Sequence, residues 1–253
     1  MSIKMVVTDL DGTLLKDDKT ISGLTAEVLA EIRRKGILYV VATARPIRAV
    51  KYFLPFLDYD SALFHNGAVI MHEGKIVDGF GVKDPVGVLD PVMKRYPGRR
   101  IAVEANDWLY ANFNAEEFWP GVTFDFTEDF EIIRDLTADK ILVEANDLNE
   151  TSALQELLPE HLYAELSENT AAMIMDKRAT KINGIRKLAE LYGIALSDIA
   201  AFGDDHNDIG MLEECGTGIA MANSFEGVKD HADEICASNE EDGVARWLME
   251  KLL

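Results

Sequence analysis

The sequence predicts an α/β protein: a parallel sheet covered on both faces, with an inserted α+β domain. Three observations predict it. Short apolar runs rich in β-branched residues alternate with amphipathic helical stretches at both ends of the chain. Between these ends the texture changes to shorter, more alternating strand-like runs. Two acidic clusters each begin where an apolar run stops, and open α/β sheets bind ligands beyond the carboxyl ends of their strands. Residues 1–82 and 179–253 are therefore expected to form a discontinuous core domain, interrupted by an inserted domain at 83–178.

Taken in order, Ile3-Lys4-Met5-Val6-Val7-Thr8 reads as a buried strand. Ser22 to Lys35 reads as a helix, with Leu24, Val28 and Ile32 four residues apart and Gly36 as its stop. Ile37 to Ala42 is a second buried strand, and Pro46 suits the first turn of the next helix. Ser61–Phe64 is a third strand. Asn66-Gly67 is a turn signal, and Ala68–Met71 and Lys75–Val77 form a hairpin around Glu73-Gly74. In the insertion, strands are expected at Arg100–Val103, Trp108–Phe113, Lys140–Glu144, Leu162–Leu166 and Ala171–Met175. Helices Val86–Arg95 and Leu148–Leu158 lie among them, in a more antiparallel arrangement. The βα alternation then resumes with helix Thr180–Tyr192, strand Ile199–Phe202, a helix near Asp208–Glu214 and strand Gly218–Met221. Helix Gly243–Leu252 closes the series.

Hydrophobic residues make up 48% of the 253 positions, ample material for a packed core. No apolar run approaches the roughly 20 residues that span a bilayer. The first residues lead straight into a strand, so a soluble cytoplasmic protein is expected. Cys215 and Cys236 lack metal-ligand spacing and are expected as reduced thiols. With 25 Lys and Arg against 45 Asp and Glu, the net charge of −20 argues against nucleic acid and anionic membranes as partners. Exposed charge is screened beyond about 8 Å at physiological salt, so a local basic cluster can still attract a phosphate.

The most informative stretch is Asp9-Leu10-Asp11-Gly12-Thr13, directly after the first strand. Two carboxylates one residue apart in a poorly solvated place are unfavourable unless a cation or a shared proton relieves them. A plain Asp-Gly hairpin turn is the rival reading. A calcium loop fails, because its sixth and twelfth positions would hold Leu14 and Thr20. The second cluster, Gly203-Asp204-Asp205-His206-Asn207-Asp208, follows Ile199–Phe202, and an ordinary polar loop is its rival reading. Asp9, Asp11, Asp204 and Asp208 make a hard, oxygen-only ligand set that favours Mg²⁺. Thr43-Ala44-Arg45 follows the second strand and offers a hydroxyl, successive N–H groups and a guanidinium for phosphate oxygens; a simple helix cap competes with this. Lys181 sits in the first turn of a helix with Thr180 as its candidate cap, where a cation opposes the macrodipole unless an anion accompanies it; an exposed lysine reaching into water is the rival reading.

Together, Asp9–Thr13, Thr43–Arg45, Lys181 and Gly203–Asp208, in this order, resemble the four motifs of the haloacid dehalogenase-like phosphatases. An insertion after the third strand and before the lysine resembles the Cof-type sugar-phosphatase subfamily. Asn66-Gly67-Ala68 and the tail from Gly218 to Val244 add to the match. The resemblance implies a Rossmann-like core with an α/β cap. It implies Asp9 as the nucleophile that forms an aspartyl-phosphate, and Asp11 as acid and then base. It implies Mg²⁺ held by Asp9, the Asp11 carbonyl and Asp204, with Asp208 acting through water or by positioning the loop. Thr43, Lys181, Asn207 and the N–H groups of Leu10 and Ala44 are implied as holders of the phosphoryl oxygens. Two positions depart from the pattern: Ala44 stands where the family usually has glycine, and Ile182 where glycine often follows the lysine.

The expected activity is Mg²⁺-dependent hydrolysis of a small phosphomonoester, such as a sugar phosphate. A phosphomutase sharing the aspartyl-phosphate and a non-catalytic sensor of phosphorylated ligands are the alternatives. Trp108, Tyr110, Trp119 and Arg45 are candidates for contacts to the leaving group.

Overall fold

The computed structural model describes residues 3–53, 57–167 and 170–253. It divides into two compact units, one of residues 1–79 with 180–253 and one of residues 80–179. In the larger unit the chain runs β1 (Met5–Thr8), α1 (Gly23–Arg34), β2 (Leu38–Ala42), α2 (Ile47–Phe53), β3 (Ser61–Phe64), β4 (Val69–His72) and β5 (Lys75–Asp78). The smaller unit contributes α3 (Pro85–Arg95), β6 (Ile101–Ala105), β7 (Trp108–Ala111), β8 (Phe124–Phe126), β9 (Lys140–Glu144), α4 (Leu148–Gln155), β10 (Leu162–Ser167) and β11 (Ala171–Asp176). The larger unit then resumes with α5 (Lys181–Tyr192), β12 (Ile199–Gly203), α6 (Ile209–Glu214), β13 (Thr217–Met221), β14 (Glu234–Cys236) and α7 (Gly243–Leu252).

The larger unit's sheet has the order β14-β13-β12-β1-β2-β3-β4-β5. It is parallel from β14 to β3 and ends in the antiparallel strands β4 and β5. Its central strands are buried along their whole length, which is why they read as continuous apolar runs. The strand order reverses at β1: the chain leaves toward β2 and β3, and returns on the other side through β12 and β13. Thr8 is level with Val41 on one side and Phe202 on the other, so three strands end side by side. The Asp9 N–H donates to the Phe202 carbonyl at 3.0 Å and continues that ladder.

Local chemistry sets the helix ends. The Ser22 side chain caps α1 by accepting the Thr25 N–H at 3.0 Å. The chain leaves that helix through Gly36, at φ 81°. Thr180 caps α5 by accepting the Asn183 N–H. Because α5 leads into β12, it runs against the strands and starts at their carboxyl edge. Val28, Leu29 and Ile32 of α1 pack with Tyr39, Phe202 and Trp247 in one core.

The smaller unit holds a six-stranded sheet, β10-β11-β9-β6-β7-β8. Its pairs are antiparallel except β7 with β8, which is parallel. Val88, Leu89 and Val92 of α3 pack with Ile101, Val103 and Ile141 of the sheet. Strands β8 and β14, each three residues long, were not among the expected elements: both lie at sheet edges and carry too little apolar pattern. Strand β7 ends at Ala111 and α4 at Gln155, short of the expected Phe113 and Leu158. Trp119 tilts against Phe113 and Phe118, and Arg100 lies over the Phe118 ring. Both cysteines are free thiols.

Phe202 is fully buried and meets Trp247 edge-on, with ring centroids 5.2 Å apart. Phe202→Ala should destabilise the protein by about 3–5 kcal/mol in equilibrium urea unfolding, through the lost burial and the cavity left behind.

Candidate active site

Each cluster singled out in the sequence lies at the carboxyl edge of the larger unit's sheet. Asp9 and Asp11 follow β1, Thr43–Arg45 follow β2, and Asp204–Asp208 follow β12. Lys181 is the first residue of α5 and is 1% exposed. Its ammonium donates to Asp9 Oδ1 at 2.6 Å and to Asp208 Oδ1 at 2.6 Å. The adverse macrodipole at a helix N-terminus is thus answered by two buried carboxylates. Burial alone would lower the Lys181 pKa, but Asp208 and Asp9 outweigh it and hold the ammonium charged well above its ordinary range.

Asp9, Asp204 and Asp208 are all buried, and one oxygen of each lies within 4.8 Å of the others. Three carboxylates face one ammonium, so two negative charges remain uncompensated in a poorly solvated place. The donor set is all oxygen, as a hard divalent cation prefers, and such a cation would balance the charge. The carboxyl pKa values carry the same message. Burial raises Asp9 to about 7 against the pull of Lys181, with Asp208 adding to the rise. Burial likewise raises Asp204 to about 6, opposed by a hydrogen bond from Thr13. That bond, Thr13 Oγ1 to Asp204 Oδ1, is 2.7 Å long.

Asp208 organises its own loop. Its Oδ2 accepts the N–H groups of Asp204 and Asp205 at 3.0 and 3.1 Å, while Oδ1 takes Lys181. Both oxygens are therefore engaged, which suits a positioning role better than direct metal ligation. Gly12 makes the close approach of the first loop possible. It sits at φ 74°, and a Cβ there would stand 2.3 Å from Asp204 Oδ2.

Asp11 points into a different set of contacts. Arg45 grips both its oxygens, Nε to Oδ2 at 2.5 Å and Nη2 to Oδ1 at 2.7 Å. Lys19 adds a bond to Oδ1 at 2.8 Å. Partial burial pushes the Asp11 pKa up, but the hydrogen bonds from Arg45 and Lys19 prevail and bring it down to about 2. Thr43 is buried, and its hydroxyl accepts the Arg45 N–H at 3.2 Å. Ala44 is exposed and is not among the left-handed residues, so alanine meets no backbone penalty where the pattern has glycine. Ile182 is buried on α5. Asn207 is exposed, and its amide donates to Asn66 Oδ1 at 3.2 Å.

Lys19 escaped the sequence analysis, because a single lysine in a loop carries no spacing signal. Thr13 and Asn223 lie within stretches the sequence analysis singled out, but their spacing does not show what they touch. Asn223 donates to the Gly12 carbonyl at 2.7 Å and accepts the Asn239 N–H at 3.0 Å, bracing the first loop from the far end of the chain.

Comparison with known proteins identifies the family. Residues 6–248 match the model of the haloacid dehalogenase-like hydrolases. The chain is 30% identical to the 5-amino-6-(5-phospho-D-ribitylamino)uracil phosphatase YitU of Bacillus subtilis, over 97% of this chain and 96% of that protein. The fold is similar to that of TM0651 from Thermotoga maritima, with a TM-score of 0.88 at 24% identity, covering 99% of this chain and 98% of that one. It is also similar to the subclass IIB sugar phosphatase BT4131, with a TM-score of 0.80 at 22% identity over 98% of each chain. The chain belongs to the haloacid dehalogenase-like hydrolases and, within them, to the phosphatases. Among the described residues, no helix is long and apolar enough to cross a membrane.

Carboxyls whose pKa is raised by folding stabilise the native state while protonated and cease to do so once they ionise. The metal-free protein should therefore lose melting temperature as pH rises from about 4, near the ordinary value of 3.8, to about 7, as Asp204 and Asp9 ionise. A saturating divalent cation should cancel that loss, and Asp204→Asn should flatten the profile in scanning calorimetry with chelator.

Proposed function

We propose that the protein hydrolyses a small phosphomonoester through a phosphoaspartate on Asp9, with Mg²⁺ as cofactor. The observation that carries this reading is the Asp9 carboxylate, held 2.6 Å from the buried Lys181 ammonium within a cluster of carboxylates. Asp9, the carbonyl of Asp11 and Asp204 would hold the cation, with Asp208 fixing the loop that presents Asp204. Mg²⁺ at that place supplies positive charge to the phosphoryl oxygens and keeps Asp9 ionised.

The chain's own groups then divide the work. Lys181 orients Asp9 and shares the negative charge of the transferring phosphoryl group. The Thr43 hydroxyl, the N–H groups of Leu10 and Ala44 and the Asn207 amide hold its oxygens. An Asp9 oxygen attacks phosphorus, and the bond from phosphorus to the leaving alcohol oxygen breaks. Asp11 gives its proton to that alcohol and later takes one from the water that attacks the phosphoaspartate. Phosphate leaves and Asp9 is restored. The clamp of Arg45 and Lys19 favours the ionised form of Asp11, so acid catalysis requires Asp11 to exchange at least one of these partners for the substrate.

A sugar or sugar-alcohol phosphate is the substrate class we favour. YitU is named for a phosphorylated ribityl compound, and BT4131 is named a sugar phosphatase. In a phosphate-release assay with Mg²⁺, Asp9→Asn should lower turnover at least about 10³-fold with the fold left intact by circular dichroism. Turnover near wild type in that variant would remove Asp9 as nucleophile, and isomerised sugar phosphate without free phosphate would make the enzyme a mutase.

A further inference from the structure

The segment after β3 has an unusual backbone. His65, Asn66 and Gly67 are all left-handed, at φ 48°, 56° and 100°. Two of the three are not glycine. Such conformations cost free energy and persist where the surroundings over-determine them, often beside functional sites. Three sets of contacts surround this run. The His65 N–H donates to the Arg45 carbonyl at 3.2 Å, and the Asn66 N–H donates to the Thr43 carbonyl at 3.0 Å. Gly67 lies against the start of α5, where a Cβ would stand 2.7 Å from the Thr180 carbonyl oxygen. The Asn66 side-chain oxygen accepts the Asn207 amide at 3.2 Å. One three-residue segment therefore touches the loop carrying Thr43 and Ala44, the residue before Lys181, and Asn207.

We propose that Asn66 is a positioning residue for phosphoryl binding, holding the Thr43–Arg45 loop through its backbone and aiming Asn207 through its side chain. This rests on the reading of the site as a phosphate pocket. The residue type suits both tasks. Asparagine tolerates positive φ better than most residues, and its side chain supplies an acceptor oxygen. Asn207 is exposed on a short turn, and an untethered side chain there would lose rotamer freedom on binding. Engaging one amide proton with Asn66 leaves the second for a phosphoryl oxygen. The plainer explanation is that the run merely reverses the chain between β3 and β4. Asn66→Gly separates the two, because glycine keeps the positive φ and removes only the amide.

The test is calorimetric binding of inorganic phosphate to the magnesium-loaded full chain, for wild type, Asn66→Gly, Asn207→Ala and the double variant. Each single change should weaken phosphate about three- to tenfold. The double variant should be no weaker than the weaker single one, because both remove the same interaction. The melting temperature of Asn66→Gly should stay at the wild-type value. Wild-type affinity in Asn66→Gly overturns the proposal, and so do losses that multiply in the double variant. If wild type binds phosphate but hydrolyses no ester, the catalytic reading fails while the binding cycle still decides this one. If wild type binds no phosphate, both fall.

Discussion

The buried acidic cluster at the carboxyl edge of the core sheet is organised around the Lys181 ammonium between Asp9 and Asp208. Both bonds are 2.6 Å, and all three groups are buried. A lone buried ammonium would be severely penalised, and so would either carboxylate alone. Each is tolerable only because the others are in place. Yet the cluster is not neutral, since Asp204 adds a third carboxylate. That residual charge, carried on oxygen donors alone, suits the cluster to a divalent cation.

Bringing these groups together requires that distant loops meet without a gap. Strands β12, β1 and β2 are neighbours, and the strand order reverses at β1, the place in open α/β sheets where ligands bind. There the loops brace one another. Thr13 holds Asp204, Asp208 holds the backbone of Asp204 and Asp205, and Asn223 holds Gly12. Such mutual bracing fixes the charged groups relative to one another, which is what the proposed phosphoryl transfer would draw on, since positioning and electrostatics carry most of that chemistry.

The two carboxylates of the first motif live in opposite environments. Asp9 is buried and raised to about 7, whereas Asp11 is gripped by two cations and lowered to about 2. Pairs of titratable groups pushed apart in this way mark a division of roles. Here the division has a mechanical side as well. Asp11 belongs to a clamp with Arg45 and Lys19, so the acid role proposed for it would require a change of partners.

Much of the fold could be read from residue order. Continuous apolar runs gave β1, β2, β3 and β12 because a central parallel strand is buried on both faces. The two acidic motifs, Thr43 and Lys181 were visible because each follows a strand end or opens a capped helix. Short edge strands such as β8 and β14 were not, since so few residues carry no periodicity. Nor could any spacing show that Lys19 and Arg45 grip Asp11, or that Asn66 meets Asn207 across 141 positions. Local propensity and pattern are properties of neighbouring residues and survive in the sequence. Which polar groups share a buried space depends on strand order and packing, and that belongs to the folded chain.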